Sequence, residues 1–479
     1  MHISTATPGR LTPTGIAYDE ARTALCFTRY RRVELSYKSI LSVEQFQVDH
    51  YLVKFVNPGR VPHFVDEMLF HIPDATTSAR QSDDVGLLEA GESAGDSGSA
   101  NVEALIFARA YANKRDPRTR KPVLVLINPK SGPGHAERLY HERSAPVFAA
   151  AGLKTNVVVT QTSGEATRLA QSLSMEEYDT LVLVSGDGLP HEVLQGLANR
   201  GDESARALKH FALCQLPGGS GNAMSLALNQ GEKEWAQLTL SVLKGQAEPH
   251  DIMAVSQGDQ TYYSFLSQSY GVVADCDLGT EHLRWMGGSR FIVGLVYKVL
   301  RGQSYPCEVA YKEGSVTDTT IDTTRDTTSD TTRDATSDTT SETMSDTFGG
   351  GGLRPKLSVN DPIPSDWTRE THMNLSMFYV GKMDWMSADA LMFPRADSLD
   401  GSMDLIMWDT SFGWFRSLSA FASVETGNHI GKIPSYKKIQ AYRLTPLVPD
   451  QYLSIDGESY PVKPFQVTVL PAAASFIKL

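Results

Sequence analysis

Short unbroken apolar runs alternate with amphipathic stretches between residues 121 and 230. The apolar runs, each a predicted strand, are residues 123–127, 156–159, 181–184 and 211–216. Segments with helical spacing of apolar positions follow them, at about 135–150, 164–173, 190–198 and from Gly221 onward. Strands that alternate with helices form a parallel sheet covered by helices, and strands buried on both faces show no polar alternation. The pattern therefore predicts an α/β domain.

The segments on either side of this region have a different pattern. After about residue 250, short apolar runs are divided by turns rich in Gly, Asp and Pro, at 373–380, 405–408, 439–444, 452–455 and 465–470. These runs predict an all-β domain. Near the N-terminus, the alternating runs 33–35 and 51–56 predict a small β-rich extension.

Two polar stretches interrupt the chain. Residues 318–346 repeat a four-residue unit of the type DTTx and have almost nothing to bury, so we expect a disordered insertion at about 315–355. A β-helical repeat is the alternative, but the apolar positions that it needs for stacking are missing. Residues 82–103 hold six acidic residues and no Lys or Arg. The predicted organisation is an extension (1–81), a linker (82–117), a catalytic domain (118–249) and a β-rich domain (250–479).

Charge and composition narrow the class of protein. The formal charge of −12 is carried by the two acidic stretches, so it says little about the rest of the surface. The chain is 41% hydrophobic and 21% charged, which is typical of a globular protein and excludes a fibrous one. Its four cysteines form no CxxC pair, which favours a reducing compartment and disfavours a cysteine-built zinc site.

The sequence also indicates where in the cell the protein is expected. It contains no run of about 18 apolar residues, so we expect no transmembrane helix. Residues 1–10 lack the apolar run of a secretory signal. We therefore expect a cytoplasmic protein with peripheral membrane association.

Glycine-rich turns follow three of the predicted strands, at 128–134, 185–188 and 216–223. The carboxyl ends of parallel strands are where open α/β sheets bind ligands. Glycine there lets backbone N–H groups approach phosphates, and the following helix adds its positive N-terminus. None of the turns is a Walker A loop or a GxGxxG fingerprint, which disfavours a P-loop kinase and a dinucleotide dehydrogenase. Tight turns without a ligand are the alternative.

Asp187 lies between two glycines directly after a predicted strand. A carboxylate at this edge can accept a proton from a substrate hydroxyl or hold Mg²⁺ against phosphates. The simpler alternative is an aspartate that only forms the turn.

At these residues the sequence resembles the diacylglycerol-kinase-type lipid kinases, and most closely the sphingosine (long-chain base) kinases. The resemblance runs from Val123 to the C-terminus, except for the threonine-rich insertion. It is carried by SGDGLPHEVLQGL (185–197), LPGGSGNA (216–223) and ADCDLGTEHLRWMGGSRF (274–291). It implies an α/β nucleotide-binding domain followed by an antiparallel β-sandwich lipid-binding domain. It also implies ATP and Mg²⁺ as cofactors and a sphingoid base as substrate.

The resemblance assigns roles residue by residue. It makes Asp187 the catalytic base toward the lipid hydroxyl. The nucleotide-site positions are Asn128, Pro129, Lys130, Thr160, Glu192, Gly219, Ser220, Gly221, Arg284, Arg290, Asp456, Gly457 and Glu458. The positions on the lipid side are Ser185, Gly186, Gly188 and Asp277. The residue that holds the metal is not assigned. Surface ion pairing for the two arginines and a helix N-cap for Asp277 are the alternatives.

The sequence departs from the family in its first loop. Pro133 and His135 stand where many relatives have lysine, and residues 161–164 differ from a commonly basic stretch. Lost charge there would weaken ATP binding, so a catalytically weak lipid-binding scaffold is one alternative function.

Asp277 is the main evidence for the type of lipid. A sphingoid base carries an ammonium group, and a buried ammonium needs a counter-charge. Ceramide and diacylglycerol carry no such charge, so a ceramide or diacylglycerol kinase is a second alternative. Apolar positions at helical spacing in 283–300 indicate either plain core or a lid over the lipid tail.

Other partners are weakly indicated. The basic cluster at 114–121 is interpreted as a solvated linker, with attraction to anionic membranes or an import signal as alternatives. No nucleic-acid-binding motif accompanies it, so we expect no nucleic-acid partner. A homodimer is possible on the sequence alone.

Overall fold

A computed structural model describes residues 7–12, 14–24, 27–47, 50–56, 65–71, 102–111, 114–279, 289–314, 353, 355 and 357–478. The predicted insertion at 315–355 lies almost entirely outside the described residues, as does most of the acidic stretch 82–103. No helix in the described ranges is both long enough and apolar enough to cross a membrane.

An N-terminal module forms a six-stranded sheet. Its strands are β1 (Thr7–Leu11), β2 (Gly15–Ala24), β3 (Phe27–Ser36), β4 (Ile40–Gln47), β5 (His50–Val56) and β6 (Val65–His71). They lie in the order β3-β2-β1-β6-β5-β4. Helix α1 (Val102–Ala110) packs on this sheet through Ile106 and Ala110, which are one helical turn apart and buried. The predicted linker 82–117 therefore contains a helix that belongs to the module.

The α/β part contains a parallel sheet, as the alternating pattern predicts. Its strands are β7 (Val123–Ile127), β8 (Thr155–Val159), β9 (Thr180–Ser185) and β10 (Ala212–Pro217). Its helices are α2 (Ala136–Leu139), α3 (Ala145–Ala150), α4 (Glu165–Ser172), α5 (Gly188–Ala198), α6 (Ser204–His210), α7 (Ala223–Leu228) and α8 (Trp235–Lys244). The sheet order is β8-β7-β9-β10, so β7, β9 and β10 are neighbours.

The helix predicted at 135–150 is not continuous. A π-helical turn (Tyr140–Ser144) separates α2 from α3, and Pro146 stands in the first turn of α3. Proline has no N–H to donate, and its ring clashes with the carbonyl of the preceding helical turn. The break between α2 and α3 therefore places Pro146 in the first turn of a new helix, where a proline is tolerated.

The chain from residue 246 onward is rich in strands. They are β11 (Gln246–Gln257), β12 (Gln260–Ser264), β13 (Ser267–Gly271), β14 (Cys307–Glu313), β15 (Thr368–His372), β16 (Leu375–Gly381), β17 (Trp385–Ser387), β18 (Ala390–Leu391), β19 (Met403–Asp409), β20 (Tyr436–Pro446), β21 (Leu453–Ile455), β22 (Glu458–Tyr460) and β23 (Phe465–Lys478). All except β17 and β18 join the parallel strands in one mixed sheet of fifteen strands. The predicted strands are present.

The last strand joins the two parts of this sheet. β23 pairs antiparallel with β11 and β20, and its end pairs in parallel with β10 through Ala212 and Ser475. The C-terminal residues therefore complete the parallel sheet of the α/β part. The predicted domain boundary at residue 250 falls within β11.

The prediction of an all-β character after residue 250 is wrong in one respect. Among the described residues of this stretch, three α-helices are present: α9 (Val272–Gly279), α10 (Ser289–Arg301) and α11 (Trp414–Phe421). α9 begins directly after Gly271, whose φ is +95°. A Cβ at Gly271 would lie 2.7 Å from the carbonyl oxygen of Ser376, so only glycine fits at this change of direction.

Lys244, at the end of α8, forms hydrogen bonds with the N-terminal module. Its Nζ donates to the carbonyl oxygens of Tyr37, Lys38 and Ile40 at 3.0, 2.8 and 2.8 Å, and it lies over the ring of Tyr111. Burial lowers the pKa of Lys244 to about 7, whereas the three carbonyl acceptors favour its charged form.

The basic cluster at 114–121 makes internal contacts. Arg120 donates to the carbonyl oxygens of Val242 and Leu243, and Arg115 forms an ion pair with Asp179 at 3.1 Å. Lys121 donates to the carbonyl oxygen of Met175 at 2.9 Å. These contacts hold residues 114–121 against the α/β part. The sequence predicts a solvated linker, whereas three of its basic side chains contact the protein.

Candidate active site

Three glycine-rich turns meet, backbone against backbone, at the carboxyl ends of β7, β9 and β10. A Cβ at Gly219 would lie 2.3 Å from the Cα of Gly186, and a Cβ at Gly132 would lie 3.0 Å from the carbonyl carbon of Gly219. The Ser131 hydroxyl accepts a hydrogen bond from the amide of Gly186 at 3.3 Å. The turns therefore pack at a distance that side chains would prevent, as expected from their position in the sheet.

Asp187 lies at the centre of this arrangement, as the N-cap residue of α5. Its two carboxylate oxygens accept hydrogen bonds from the amides of Ala223 and Met224 at 3.0 and 3.1 Å. Gln215 donates to the same carboxylate at 3.3 Å. Ala223 and Met224 begin α7, and the first N–H groups of a helix have no partner within it. The start of α7 therefore fixes the orientation of Asp187.

The environment of Asp187 changes its basicity. Burial raises the pKa of the Asp187 carboxyl above its ordinary value, and the negative charge of Asp456 acts in the same direction. The donors on Ala223, Met224 and Gln215 oppose this increase. The result is a half-buried carboxylate that is held in place and is more basic than an exposed one.

The third glycine turn is shaped by Asn222. Its φ is +58°, and its side chain both accepts from the amide of Gly219 at 2.9 Å and donates to the Gly219 carbonyl at 2.8 Å. Gly221 lies against Asp187, since a Cβ there would be 2.8 Å from the carboxylate. Ser220 is exposed at the tip of the turn. Of the predicted nucleotide residues of this turn, Gly221 therefore lies against Asp187 and Gly219 lies against Gly186.

The predicted residues of the first two strand ends lie at the same edge. The Asn128 side chain accepts from the amide of Lys130 at 3.0 Å, and Lys130 is exposed beside half-buried Pro129. Thr160 is buried, and its amide and hydroxyl both donate to the carbonyl oxygen of Ile127. These contacts tie the end of β8 to the end of β7.

Glu192 lies one helical turn into α5, and its side chain extends to the turn that precedes α4. Its carboxylate accepts a hydrogen bond from the amide of Gly164 at 3.0 Å. Gly164 has a φ of +74° and is the N-cap of α4. Glu192 therefore lies at a helix N-terminus on the same side of the sheet as Thr160.

Asp456 is brought to α5 from the far end of the chain. It is 2% exposed, has a φ of +52°, and its Oδ2 lies 2.9 Å from Nδ1 of His191. The donors on the turn after β12 are the Ser264 hydroxyl and the amides of Phe265, Leu266 and Ser267, at 2.5–3.2 Å. These protein contacts occupy the carboxylate, and its role at the nucleotide stays a prediction.

His191 is a residue that the sequence reasoning missed. Its Nε2 lies 2.7 Å from the Tyr460 hydroxyl, so the imidazole bridges Tyr460 and Asp456. Gln195, one turn further along α5, bonds both the amide and the carbonyl of Tyr263. The spacing of His191 and Gln195 places them on one helix face, which was the available signal.

The acidic turn after β21 also touches the start of α5. A Cβ at Gly188 would lie 2.7 Å from a carboxylate oxygen of Glu458. Gly457 has a φ of +85°, and Glu458 is exposed. The structure thus brings Glu458 beside the glycine that follows Asp187, whereas Ser185 is buried at the end of β9.

Asp277 lies in the last turn of α9 and is half-buried. Its carboxylate accepts a hydrogen bond from the Ser454 hydroxyl on β21 at 3.1 Å. In the sheet register, Ser269 lies opposite both Ser454 and Tyr379. These three hydroxyl side chains therefore share the sheet face that carries Asp277.

Tyr379 is a buried residue whose hydroxyl is affected by the charges of the predicted acids, and the sequence reasoning also missed it. It is 8% exposed; its burial, and the charges of Asp277, Asp456 and Asp187, raise the pKa of its hydroxyl. Charges act in this way only over short distances. Tyr379 lies in an apolar strand, so no sequence signal distinguishes it from a core residue.

The two predicted phosphate-binding arginines are less well described. Arg284 lies outside the described residues, and Arg290 is in the first turn of α10 with its side chain undescribed. α10 itself is fastened to α9, because Lys298 forms an ion pair with Asp275 at 2.8 Å. The Tyr305 hydroxyl donates to the same carboxylate at 2.7 Å.

Comparisons with known proteins identify the family that the chain resembles. Residues 122–255 match the diacylglycerol kinase catalytic domain family. Sphingoid long chain base kinase 5 of Saccharomyces cerevisiae is 31% identical over 88% of this chain and 66% of its own length. Sphingoid long chain base kinase 4 of Schizosaccharomyces pombe is 32% identical over 75% of each chain. Human sphingosine kinase 1 is 26% identical over 70% of this chain and 85% of its own length.

A solved structure shows the same fold. A crystal structure of a diacylglycerol kinase from Bacillus anthracis str. Sterne has a TM-score of 0.50 at 16% identity, covering 75% of this chain and 98% of that chain. The fold is therefore that of a diacylglycerol-kinase-type enzyme with a mixed sheet. The chain belongs to the sphingoid long chain base kinases, a family of ATP-using lipid kinases with a diacylglycerol kinase catalytic domain.

Proposed function

We propose that the protein transfers the γ-phosphoryl group of ATP to the primary hydroxyl of a sphingoid base, giving the 1-phosphate. Sphingosine, dihydrosphingosine and phytosphingosine are all members of this substrate class. The observation that supports it best is the position of the Asp187 carboxylate, which helix α7 holds where three glycine turns meet. This arrangement combines a proton acceptor with a surface of backbone amides that phosphates can approach.

The nucleotide side is proposed to be built from the strand-end turns. The turn at 216–223 would wrap the phosphates through Gly219, Ser220 and Gly221, while exposed Lys130 supplies positive charge next to Asn128 and Pro129. The other residues proposed to contact the nucleotide are Thr160, Glu192, Arg284, Arg290, Asp456, Gly457 and Glu458. Arginine suits phosphate because its planar guanidinium donates two parallel hydrogen bonds.

The chemical step is a direct transfer in this proposal. Asp187 accepts the proton of the lipid hydroxyl while that oxygen attacks the γ-phosphorus. A new oxygen–phosphorus bond forms as the bond between the γ-phosphorus and the β–γ bridging oxygen breaks, and ADP leaves. The raised pKa of Asp187 makes it a stronger base, and Gln215 and α7 keep it aligned.

The residues present fit Mg²⁺. This ion is held mainly by phosphate oxygens and waters with one or two carboxylates, so a cage of three protein ligands is not needed. Exposed Glu458 lies beside Gly188, the residue after Asp187, and Glu458 is proposed to hold the ion. When bound, Mg²⁺ neutralises charge on the transferred phosphoryl group.

The lipid headgroup is proposed to lie against Asp277. An ammonium group placed there would pair with this half-buried carboxylate, and the hydroxyls of Ser454, Ser269 and Tyr379 would surround the lipid's own hydroxyls. Ser185, Gly186 and Gly188 would border the reacting hydroxyl. In this proposal the β-rich part is an antiparallel sandwich that binds the lipid, and the protein is cytoplasmic with peripheral membrane contact.

The test is transfer of labelled phosphate from ATP with Mg²⁺ to dihydrosphingosine, ceramide and diacylglycerol in parallel. We expect label on dihydrosphingosine alone, and its loss in Asp187→Asn. Asp202→Asn changes an exposed aspartate of the same α/β part and serves as the matched control. Label on a neutral lipid would contradict the role of Asp277, and full activity in a folded Asp187→Asn protein would contradict the role of Asp187.

A further inference from the structure

Large apolar side chains are exposed together at one end of the β-rich part. They are Tyr297 and Leu300 on α10, Met373 before β16, Trp414 and Phe415 at the start of α11, and Leu447 after β20. Trp414 is 55% exposed and Phe415 is 71% exposed. Folded proteins rarely leave adjacent aromatic residues in water without a function for them.

Backbone contacts bring these residues to the same end. The amide of Thr410, just before α11, donates to the carbonyl of Asn374, and the amide of Tyr305, just after α10, donates to the carbonyl of Leu375. The amide of Leu447 donates to the carbonyl of Pro306. The two helices also contact each other. The exposed side chains therefore form one surface, here called the Trp414 surface.

The fold does not need the exposed side chains of this surface. Helix α11 buries Ser417 and Ala420 and packs Leu418 and Phe421 against the core. Helix α10 buries Val299. Trp414 and Phe415, in the first turn of α11, are left exposed. Both helices are thus amphipathic, with one apolar face inside and further apolar groups outside.

The charge of the two helices is positive. Their sequences contain Arg290, Lys298, Arg301 and Arg416, and no Asp or Glu. Arg416 is exposed beside Phe415, and Arg301 is exposed and donates to the Tyr297 hydroxyl at 2.9 Å. At this end His372 bonds both Asp409 and Glu370. Within the two helices themselves, basic and aromatic side chains occur without acids, which is a composition that favours an anionic lipid surface.

We infer that the Trp414 surface, with Arg301 and Arg416, is where the protein lies on an anionic phospholipid bilayer. Trp and Phe enter the interface between headgroups and acyl chains, while the arginines contact lipid phosphates. A reason for the protein to bind a membrane follows from the proposed function, on which this inference rests. The proposed substrate, a sphingoid base, is an amphiphile that resides in membranes. Helix α10 is bound to α9, which carries Asp277, so the surface adjoins the proposed headgroup site.

The experiment is co-sedimentation of the full chain with vesicles of phosphatidylcholine containing about 30% phosphatidylserine, compared with pure phosphatidylcholine. The test variant is Trp414→Ala/Phe415→Ala, and Val157→Ala, at an exposed position on β8, is the matched control. We expect the double variant to lower partitioning onto anionic vesicles at least about tenfold, because the apolar area that enters the interface is lost. We expect Arg301→Ala/Arg416→Ala to weaken the salt-dependent part of binding, and Val157→Ala to bind as the wild type does.

Kinase assays separate this inference from the proposed function. With dihydrosphingosine in detergent micelles, the Trp414→Ala/Phe415→Ala variant should keep its kcat and KM; with the lipid in vesicles, its rate should fall. Wild-type protein that ignores anionic vesicles, or a double variant that binds them normally, would overturn the inference even if the kinase is active. Unchanged vesicle binding together with a change in oligomeric mass would assign the surface to a second copy of the chain instead.

Discussion

Nδ1 of His191 lies 2.9 Å from the carboxylate of Asp456, although 265 positions separate the two residues in the chain. Both side chains are buried. His191 follows Asp187 by about one turn of α5, and Asp456 is fixed by the turn after β12. This pair therefore sets the position of the proposed base relative to the part of the protein that carries Asp277.

Replacing His191 is expected to reduce catalysis through position alone. His191→Ala leaves the buried Asp456 carboxylate and the Tyr460 hydroxyl without this partner, at a cost of about 1–3 kcal/mol in the free energy of unfolding. A small displacement of Asp187 should lower kcat by about 10–100-fold with little change in the KM for ATP. Steady-state kinetics and urea unfolding measure the two effects separately.

A conservative variant distinguishes positioning from stability. In His191→Asn the amide can still donate to Asp456 but cannot also reach Tyr460, so kcat should be partly restored. His141→Asn changes an exposed histidine of the same part and should alter neither quantity. A His191→Ala protein that loses stability but keeps its kcat would show that the pair is only structural.

The contact between Gly186 and Gly219 makes a second prediction. In Gly219→Ala the new Cβ would lie 2.3 Å from the Cα of Gly186, and neither backbone segment can move without shifting Asp187 or Asn222. We expect loss of ATP binding, measured by calorimetry. Gly431→Ala, where a Cβ meets nothing within 4 Å, is the control and should bind ATP normally.

Asp277 should control the choice between charged and neutral lipids. Asp277→Asn keeps the size of the side chain and an acceptor for Ser454 but removes the charge that would pair with an ammonium group. We expect kcat/KM for dihydrosphingosine to fall by about 10–100-fold, as for the loss of a partly buried ion pair. Parallel assays with diacylglycerol should show no comparable loss. Equal effects on both lipids would remove Asp277 from headgroup recognition.

The parts predicted well from sequence are those that depend on local pattern. Each strand of the parallel sheet is a short apolar run. Because β7, β9 and β10 are parallel neighbours, the glycine turns that follow them lie at one edge of the sheet. The His191–Asp456 pair was not predictable in this way, because it depends on how distant strands are connected. Tyr379 has the same limitation, since its strand is apolar on both sides and only the register shows its polar neighbours.

The helical spacing of apolar positions in 283–300 agrees with helix α10, but the other two helices described in the β-rich part were hard to predict. Helix α9 is short, mostly apolar and buried, so its pattern does not differ from that of a buried strand. The positive φ of Gly271, which separates β13 from α9, reflects contact with β16 and not the local sequence. Helix α1 was missed because it follows the acidic stretch, and its apolar residues form a nearly continuous run that does not distinguish a helix from a buried strand.

His250 should make the stability of the protein sensitive to mild acid. It is 5% exposed on β11, its Nδ1 lies 2.8 Å from the carbonyl of Asp251, and its ring packs against Phe476. Burial, together with the positive charges of Lys382 and Lys478, lowers the pKa of His250 to about 4, against the opposing effect of Asp251. The unfolded chain then binds a proton between about pH 6.5 and 4 that the folded protein does not bind.

The sign of the effect follows from this difference. The contribution of His250 to stability is complete above about pH 6.5, and about 3 kcal/mol is lost as the pH falls to about 4. Asparagine can place its amide where Nδ1 lies but does not titrate, so His250→Asn should remove this part of the pH dependence. Urea unfolding at several pH values between 4 and 7 measures it, with His141→Asn as the exposed control. Parallel stability curves for wild type and His250→Asn would show that His250 is charged in the folded protein.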